Sequence, residues 1–264
     1  MPLRRLDAEL VRRGLAADPA EARDAVDAGR VSIGGVPATK VTTMVAPDAP
    51  VAVAGAPRAY VSRAGGKLAA ALDRFQVDPA GRSCLDAGAS TGGFTDCLLQ
   101  RGASRVVAVD VGYGLLAWSL RTDPRVLVFE RRNVRDLAPD ALPFRPELVV
   151  ADLSFVSLRT VVSTLADVGA PGADHLVLVK PQFEARRDEI EDGGVVRDPS
   201  VWRRVLDEVA EAARSAGLDP DGAMASPLPG PAGNIEFLLH LTASGVAGPF
   251  EADRAIHEGE ALLR

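Results

Sequence analysis

Short apolar segments alternate with longer segments of helical periodicity after about residue 80, and this alternation is the strongest constraint on the fold. Strands that alternate with helices are typical of a parallel sheet covered by helices on both faces. The apolar segments are continuous Val and Leu runs, as expected of strands that are buried on both sides. We therefore predict an α/β domain with a doubly wound, mostly parallel sheet. The predicted strands are Ser83–Asp86, Val106–Asp110, Val126–Phe129, Leu148–Asp152, Leu176–Lys180 and Ile235–Leu241.

The N-terminal part of the chain has a different pattern, which begins with two helical segments. Leu3, Leu6 and Leu10 follow one another at helical spacing as far as Gly14, which predicts a short amphipathic helix. The segment Asp18-Pro-Ala-Glu21 then provides an N-cap residue, a proline at the first helical position and an acid at the third. A second helix is therefore predicted to start there.

A hairpin and a chain boundary follow the two helices. Val31 and Ile33 alternate with polar or small neighbours around Gly34-Gly35, which predicts a β-hairpin. Residues 46–57 are rich in Pro, Ala and Gly, which is typical of a domain boundary. We predict a small α+β domain over residues 1–57, a linker over 58–62 and the larger α/β domain over 63–264.

Charge and composition limit the classes of function. The net charge of −6 argues against a protein that coats nucleic acid by bulk electrostatics, so a nucleic-acid site has to be a local patch. No apolar run approaches the roughly 20 residues that cross a bilayer, and the N-terminus has no signal-peptide core. Cys84 and Cys97 are the only cysteines and predict neither a disulfide framework nor a metal site. We expect a cytoplasmic protein without a metal.

A glycine-rich loop follows the first predicted strand of the larger domain. Gly88, Gly92 and Gly93 stand where open α/β sheets bind ligands, beyond the carboxyl end of a strand. Their spacing differs from the dinucleotide pattern G-x-G-x-x-G, and Asp86 would repel a pyrophosphate. An amino group would instead be favoured by this acid, directly or through water. The alternative is that the glycines form only a tight turn and that Asp86 caps the strand.

Polar residues at the ends of the next strands complete a possible nucleoside site. Asp110 ends the second strand, where a carboxylate can accept hydrogen bonds from ribose hydroxyls. Asn133 and Asp136 follow the third strand and could bind an adenine edge, although turn residues are equally expected there. The pattern predicts a nucleoside with a zwitterionic tail as the ligand.

Four charged residues stand where strands or helices begin or end on the same predicted side: Lys67, Asp152, Lys180 and Glu236. Burial and a second lysine can lower the pKa of a lysine enough for it to accept a proton. That property would activate a ribose hydroxyl. The alternative is that Lys67 lies on the surface at a helix start and that Glu236 is a charge on an edge strand.

Several sequence words, in this order, resemble the TlyA family over nearly the whole chain. The larger domain resembles the Rossmann-like FtsJ-type ribose 2′-O-methyltransferases, and the N-terminal domain is similar to the RNA-binding domain of ribosomal small-subunit protein four. The words are Ser62-Arg-Ala-Gly-Gly-Lys67, Asp86-Ala-Gly-Ala-Ser-Thr-Gly-Gly-Phe-Thr95, Asp110-Val-Gly-Tyr-Gly114, Ala151-Asp-Leu-Ser-Phe155, Val179-Lys-Pro-Gln-Phe-Glu184 and Pro229-Gly-Pro-Ala-Gly-Asn-Ile-Glu236.

The resemblance implies transfer of a methyl group from S-adenosylmethionine to the 2′-hydroxyl of cytidine in ribosomal RNA, without a metal. It implies a catalytic tetrad in which Lys180 removes the proton or stabilises the alkoxide, Lys67 and Asp152 tune its charge, and Glu236 orients Lys67. Residues 64–66 depart from some relatives, which puts local loop contacts in doubt. The implied cofactor-binding residues are Asp86, Gly88, Ser90, Gly92, Gly93, Phe94, Asp110, Asn133 and Asp152.

Basic residues of the N-terminal domain are the candidate RNA ligands. Arg5 and Arg12 are seven positions apart and share one helix face, which would bind phosphates rather than read bases. The alternative is a solvated helix in which Glu9 pairs with Arg13. The candidates are Arg4, Arg5, Arg12, Arg13, Arg23, Arg30 and Lys40.

Other classes of function are weaker. A non-catalytic RNA-binding factor of ribosome assembly would not need the four charged residues. A haemolysin, the name attached to some relatives, needs an apolar or strongly amphipathic inserting surface. A dehydrogenase is disfavoured by the glycine spacing and by Asp86. The predicted partners are therefore ribosomal RNA or ribosomal subunits, and no membrane.

Overall fold

The computed structural model describes residues 3–54, 59–243, 250 and 252–263. The chain forms two compact units, Met1–Ser62 and Arg63–Arg264, which we call the N-terminal and the C-terminal unit. The predicted domain limits remain predictions, and residues 55–58, which include the first linker residue, lie outside the described ones. The N-terminal unit contains β1 (Arg4–Arg5), α1 (Leu6–Arg12), α2 (Pro19–Asp27), β2 (Val31–Ile33), β3 (Val36–Pro37), β4 (Met44–Val45) and β5 (Val51–Val53).

The second helix and the hairpin of the N-terminal unit agree with their sequence signals. The Asp18 side chain accepts a hydrogen bond from the backbone N–H of Glu21 at 2.9 Å, and Pro19 occupies the first helical position. This cap satisfies one N–H group that the helix itself leaves unpaired. Strands β2 and β3 are antiparallel across Gly34 and Gly35, whose φ angles are 58° and 84°. The left-handed conformation explains why two glycines stand there.

The predicted start of the first helix was wrong. This helix begins at Leu6, because Arg4 and Arg5 form a short strand that pairs with β4, and Leu3 is exposed. Arg5 and Arg12 therefore do not share a helix face. Strand β5, which pairs with β2, was not predicted, because Pro, Ala and Gly residues surround its Val-Ala-Val sequence.

The C-terminal unit is an α/β domain. Its helices are α3 (Ala64–Phe75), α4 (Gly93–Gln100), α5 (Trp118–Arg121), α6 (Val162–Val168), α7 (Pro181–Glu184), α8 (Pro199–Ser215) and α9 (Ala252–Leu262). Its strands are β6 (Ser83–Ala87), β7 (Arg105–Asp110), β8 (Val126–Glu130), β9 (Leu148–Ala151), β10 (Asp174–Val179), β11 (Asp219–Ala225) and β12 (Phe237–Thr242).

The strands form one seven-stranded sheet in the order β11-β12-β10-β9-β6-β7-β8. Strands β10, β9, β6, β7 and β8 are parallel, whereas β12 and β11 are antiparallel to their neighbours. The chain adds β7 and β8 on one side of β6 and then returns to add β9 and β10 on the other side. The predicted mostly parallel, doubly wound sheet is thus confirmed. This reversal between β6 and β9 is the point at which such sheets bind ligands.

Strand β11 was not predicted. Its sequence, Asp219-Pro-Asp-Gly-Ala-Met-Ala225, has no β-branched residue and contains a proline and a glycine. Such a strand is tolerated at a sheet edge, and its register shifts between Pro220 and Gly222. The six predicted strands are present, and their observed ends differ from the predicted ends by no more than two residues.

Both faces of the central strands are buried. Val149 and Ala151 of β9 belong to a core cluster that includes Trp202 of α8, and Leu148 and Val150 on the alternate face have no exposed surface either. The Trp202 ring meets the Phe237 ring edge-on at 5.6 Å. Full burial of a side chain such as that of Phe237 stabilises the fold by roughly 1.5–3 kcal/mol. This packing fixes the strand ends that carry the charged residues.

Candidate active site at the switch point of the sheet

A cavity of about 530 Å³ lies beyond the carboxyl ends of the strands at the reversal point. The loops after β6, β7, β8 and β9 form its wall, and its volume is in the range that binds a cofactor-sized ligand. The wall consists of Gly88, Ser90, Val109, Asp110, Val111, Leu115, Arg132, Asn133, Val134, Arg135, Asp152, Leu153, Ser154, Phe155 and Val156.

Gly88 brings the loop after β6 against the end of β9. Its φ angle is 87°, and a Cβ atom at this position would lie 2.5 Å from the carbonyl oxygen of Asp152. Only glycine permits both the left-handed backbone and this close approach. The first glycine of the motif is therefore required by the shape of the cavity.

The structure brings five of the predicted cofactor-binding residues together on the cavity wall: Gly88, Ser90, Asp110, Asn133 and Asp152. Gly92, Gly93 and Phe94 are not on this wall. Gly92 precedes α4 with a φ angle of 99°, and a Cβ atom there would overlap Leu120. Gly93 and Phe94 are buried in the first turn of α4. They form the strand-to-helix turn, as the alternative interpretation of this loop required, and their predicted contact with a cofactor stays a prediction.

Asp110 and Asn133 shape the cavity while they line it. The two Asp110 carboxylate oxygens accept hydrogen bonds from the backbone N–H groups of Ser90, at 2.8 Å, and Gly112, at 2.7 Å. The Asn133 side chain accepts a hydrogen bond from the Arg135 N–H at 3.1 Å. Each carboxylate oxygen of Asp110 retains a lone pair that can accept a hydrogen bond from a further donor. Asp136 lies in the exposed turn after Asn133 and is not part of the wall.

Asp86 lies at the end of β6 with no exposed surface. One carboxylate oxygen accepts a hydrogen bond from the Thr95 hydroxyl at 2.6 Å, and the other, Oδ1, is buried and has no donor among the residues that the structure describes. Burial raises the pKa of Asp86 to about 7, and the nearby charges of Asp152 and Asp110 act in the same direction. A buried carboxylate oxygen without a donor fits a ligand that brings a positive charge.

Lys67 and Glu236 form a buried ion pair. Lys67 lies in the first turn of α3, and Glu236 immediately precedes β12. The Lys67 Nζ contacts Glu236 Oε2, and the side chains are 6% and 2% exposed. Neither residue is therefore the surface charge that the alternative interpretation of the sequence required.

Asp152 and Lys180 form a second ion pair at the ends of β9 and β10. The Lys180 Nζ lies 2.6 Å from Asp152 Oδ1 and donates a hydrogen bond to the Ser154 hydroxyl at 2.8 Å. The Phe183 ring centroid is 5.9 Å from the same Nζ. Asp152 belongs to the cavity wall, so this pair borders the cavity.

The strand register explains why these residues share one edge of the sheet. Val179 of β10 pairs with Phe237 of β12, and the strands are antiparallel, so Lys180 and Glu236 occupy facing positions just beyond the ladder. Ala151 of β9 pairs with Ala87 of β6, which places Asp152 beside the glycine-rich loop. Two lysines and two carboxylates thus lie along the edge that borders the cavity, and an ammonium group there could bind a hydroxyl oxygen or exchange a proton with it.

The residues just after Asp152 contribute to the site in a way that was not predicted. Ser154 contacts Lys180, and Phe155 has a φ angle of 61° and is 91% exposed. A left-handed phenylalanine is unusual and is held only by its surroundings. The signal available in the sequence was their position directly beyond a strand end.

The candidate RNA-binding residues of the N-terminal unit fall into different environments. Arg4, Arg5, Arg12, Arg23, Arg30 and Lys40 are exposed. Arg13 instead donates hydrogen bonds to the carbonyl oxygens of Ala49, at 2.7 Å, and Pro47, at 2.9 Å, and its side chain is 20% exposed. Its guanidinium group is therefore engaged within the unit.

Glu9 organises the arginines of α1. Its buried carboxylate contacts Arg12 at 2.6 Å and Arg13 at 2.7 Å. Hydrogen bonds from these two arginines lower the pKa of Glu9 to about 2. The pairing of Glu9 with Arg13, which was the alternative reading of this helix, is observed.

The described part of the chain holds no group of three or more His, Cys, Asp or Glu side chains that could bind a metal ion. Among its helices, none is long and apolar enough to cross a membrane.

Comparison with known proteins gives matches over both units. The model of the FtsJ-like methyltransferase family matches residues 60–243, and that of the S4 domain matches residues 4–51. The 16S/23S rRNA (cytidine-2′-O)-methyltransferase TlyA of Mycobacterium tuberculosis is 53% identical over 238 residues, which cover 90% of this chain and 89% of the relative. Hemolysin A of Brachyspira hyodysenteriae is 35% identical over 238 residues, or 90% and 99% of the two chains. The solved structure of a Streptococcus thermophilus protein provisionally named a hemolysin is 36% identical, with a TM-score of 0.83 over 100% of this chain and 98% of that one.

Proposed function

This chain belongs to the TlyA family, within the FtsJ-like methyltransferases, and we propose that it transfers a methyl group from S-adenosylmethionine to the 2′-hydroxyl of cytidine in ribosomal RNA. The observation that carries this proposal is the pair of ion pairs, Lys67–Glu236 and Asp152–Lys180, along the sheet edge that borders the cavity. The proposed substrate follows the name of the Mycobacterium tuberculosis relative, and the proposed place of action is the cytoplasm.

The cavity residues fit S-adenosylmethionine. This cofactor supplies, when bound, an activated methyl group on a positively charged sulfur. Asp86 is not one of the wall residues, but its buried Oδ1 would accept a hydrogen bond from the ammonium of the methionine end, directly or through water. Asp110 on the wall would accept hydrogen bonds from the ribose hydroxyls. Gly88 and Ser90 would hold the cofactor through their backbone, and Asn133 would bind the adenine edge. Gly92, Gly93 and Phe94 would contribute by building the turn rather than by contact.

Lys180 would act on the ribose hydroxyl. Its Nζ is held by Asp152 and Ser154 at the border of the cavity, so a hydroxyl placed there would meet the amine. As a free amine, Lys180 would accept the proton that the hydroxyl loses when its oxygen takes the methyl group supplied by the cofactor. As an ammonium, it would instead stabilise the alkoxide that forms when the proton leaves to water. Lys67 and Asp152 would balance its charge, and Glu236 would orient Lys67.

The N-terminal unit would hold the RNA. It matches the S4 domain model, and its exposed basic side chains can bind phosphates without reading the base sequence. We propose Arg4, Arg5, Arg12, Arg23, Arg30 and Lys40 for this role. Arg13, which the sequence analysis assigned to the same role, already binds backbone carbonyls, and for it we propose a structural role instead. The proposed partners are ribosomal RNA or ribosomal subunits.

The proposal is tested by transfer of labelled methyl groups to unmodified small and large ribosomal subunits, assayed separately. We expect transfer by the wild type, none by Lys180→Ala, and wild-type transfer by Arg214→Ala, which removes a partly exposed cation that pairs with Glu211 on α8. Calorimetry would show whether Lys180→Ala still binds the cofactor. Cofactor binding by the wild type without transfer to either subunit would contradict the proposal and would favour a non-catalytic assembly factor.

A further inference from the structure

Glu184 is a buried acid that the proposed chemistry does not use. It ends α7, four positions after Lys180, and its side chain is 2% exposed. One carboxylate oxygen accepts a hydrogen bond from the Leu158 N–H at 2.6 Å, and the other accepts one from the Ser157 hydroxyl at 2.5 Å. These contacts lie on the loop that leaves Asp152.

Arg159 closes the same cluster from the solvent side. Its Nε donates a hydrogen bond to the Glu184 carboxylate at 3.1 Å, and its Nη2 donates one to the Glu184 carbonyl oxygen at 3.0 Å. Its Nη1 pairs with Glu208 of α8 at 2.6 Å. Burial raises the pKa of Glu184, and the hydrogen bonds from Ser157, Leu158 and Arg159 oppose that shift.

Two separate sets of contacts therefore connect the segment that follows Asp152 with the segment that follows Lys180. At the site, Lys180 contacts Asp152 and Ser154. A few residues further along the two segments, Glu184 at the end of α7 contacts Ser157 and Leu158. Between these two sets of contacts, the ring centroids of Phe155 and Phe183 lie 5.2 Å apart. A segment fixed at both ends can hold Phe155 in the left-handed conformation that it would not adopt by itself.

We propose that Glu184 is a positioning residue for methyl transfer, which fixes the loop of Asp152 and Ser154 against the loop of Lys180 and so sets the geometry of the Asp152–Lys180 pair. This inference rests on the proposed function. Glu184 acts through Lys180 and touches neither the substrate nor the cofactor. If the Glu184 carboxylate is removed, the loop after Asp152 loses the hydrogen bonds that anchor it close to the ion pair.

Glu184→Gln tests this inference, because the amide replaces one of two acceptors by a donor and removes the charge opposite Arg159. Glu208→Gln is the matched control, since it makes the same change in the other acid that binds Arg159. We expect kcat for methyl transfer to fall about 10- to 100-fold in Glu184→Gln, as small displacements of reacting groups cost this much. Glu208→Gln should stay within about twofold of the wild type.

The split between kcat and KM separates positioning from a merely structural role. Glu184 touches neither the substrate nor the cofactor, so kcat should fall in Glu184→Gln while KM for the cofactor and for the RNA stays within about twofold of the wild type. Glu208→Gln should change neither kcat nor KM by more than about twofold. An unchanged kcat, an equal loss of kcat in both variants, or a rise in KM in place of the loss of kcat would overturn the inference.

Amide hydrogen exchange of residues 153–160 tests the anchor without any methyl transfer. Exchange should be faster in Glu184→Gln than in Glu208→Gln, and equal exchange would overturn the inference even if the wild type is an active methyltransferase. An inactive wild type with this difference in exchange would overturn the proposed function and leave the anchor in place. If Glu184→Gln does not fold, Ser157→Ala removes one donor, and unchanged kcat and exchange in that variant would overturn the inference.

Discussion

The Lys67 ammonium pairs with the Glu236 carboxylate inside the protein, although the two residues are 169 positions apart in the sequence. The pair joins the first turn of α3 to the residue before β12, and both side chains are almost fully buried. Two buried opposite charges compensate each other only while both are present. The pair therefore links the stability of the fold to the proposed chemistry.

Removing one member should leave the other charge buried and unpaired. We expect Glu236→Gln to lower the free energy of unfolding by about 3 kcal/mol and to abolish methyl transfer. The double variant Lys67→Met/Glu236→Leu should regain most of the stability, because no charge remains buried, and should still be inactive. Urea unfolding and a transfer assay measure the two effects. An active double variant would contradict the role of this pair in the reaction.

The stability of the free protein should depend on the protonation of Asp86. Burial raises the pKa of this carboxyl in the folded protein to about 7, whereas it is about 4 in an unfolded chain. The folded state thus binds the proton more tightly, so the contribution of Asp86 to stability is fully present below about pH 4 and is lost as the pH rises through about 7.

Asp86→Asn should remove this dependence, since the amide cannot ionise and its oxygen can still accept the Thr95 hydrogen bond. Between pH 4 and 7 the wild type should lose up to about 1.4 kcal/mol per pH unit relative to the variant. Urea unfolding at several pH values, without cofactor, measures the difference. Parallel stability curves for the two proteins would show that Asp86 titrates as an ordinary acid.

Gly88 should be indispensable for cofactor binding. A methyl group in Gly88→Ala would lie 2.5 Å from the Asp152 carbonyl oxygen, so the cavity wall has to move. We expect cofactor affinity to fall at least about 10-fold, a loss of about 1.4 kcal/mol. Gly172→Ala is the matched control, because its φ angle of 77° is also left-handed and nothing lies within 4 Å of the added Cβ. Calorimetry should detect the loss at position 88 alone, and equal affinities would argue against the proposed cavity.

Lys40 and Arg13 should respond differently to replacement, although each change removes one positive charge. Lys40 is exposed, so Lys40→Ala should weaken RNA binding and reduce the slope of log affinity against log salt by about 1. Arg13→Ala should leave that slope unchanged and lower the melting temperature, because Arg13 holds the carbonyl oxygens of Pro47 and Ala49. Binding to an rRNA fragment at several salt concentrations tests both. A reduced slope in Arg13→Ala would show that Arg13 binds RNA phosphates as well.

The sequence predicted the central sheet well, because buried parallel strands are continuous apolar runs that end in a charged residue. Asp152 and Lys180 end two such runs, and strands that are parallel and adjacent place their ends together. The edge strand β11 and the short strands β1 and β5 escaped prediction. Their sequences are polar or short, and pairing with distant residues, such as Arg5 with Met44, decides their conformation.

The sequence predicted which types of residue form the site, but it predicted less well which contacts each of them makes. Gly92, Gly93 and Phe94 belong to the same sequence word as Gly88, yet the packing of α4 turns them away from the cavity wall. Arg13 is indistinguishable from Arg12 in the sequence, and only the position of the 46–49 segment decides which of them binds carbonyl oxygens. Glu184 lies in a recognised word, but its task depends on a loop that is 25 residues away in the sequence.

The most direct measurement is the identity of the methylated nucleoside. Unmodified ribosomal subunits would be treated with the protein and labelled S-adenosylmethionine, and the RNA digested to nucleosides and separated by chromatography. A reaction directed at the ribose hydroxyl predicts label in 2′-O-methylcytidine with the wild type and none with Lys180→Ala. Label in a base-methylated nucleoside, or equal label with both proteins, would contradict the assignment of Lys180 and its partners to a ribose 2′-hydroxyl.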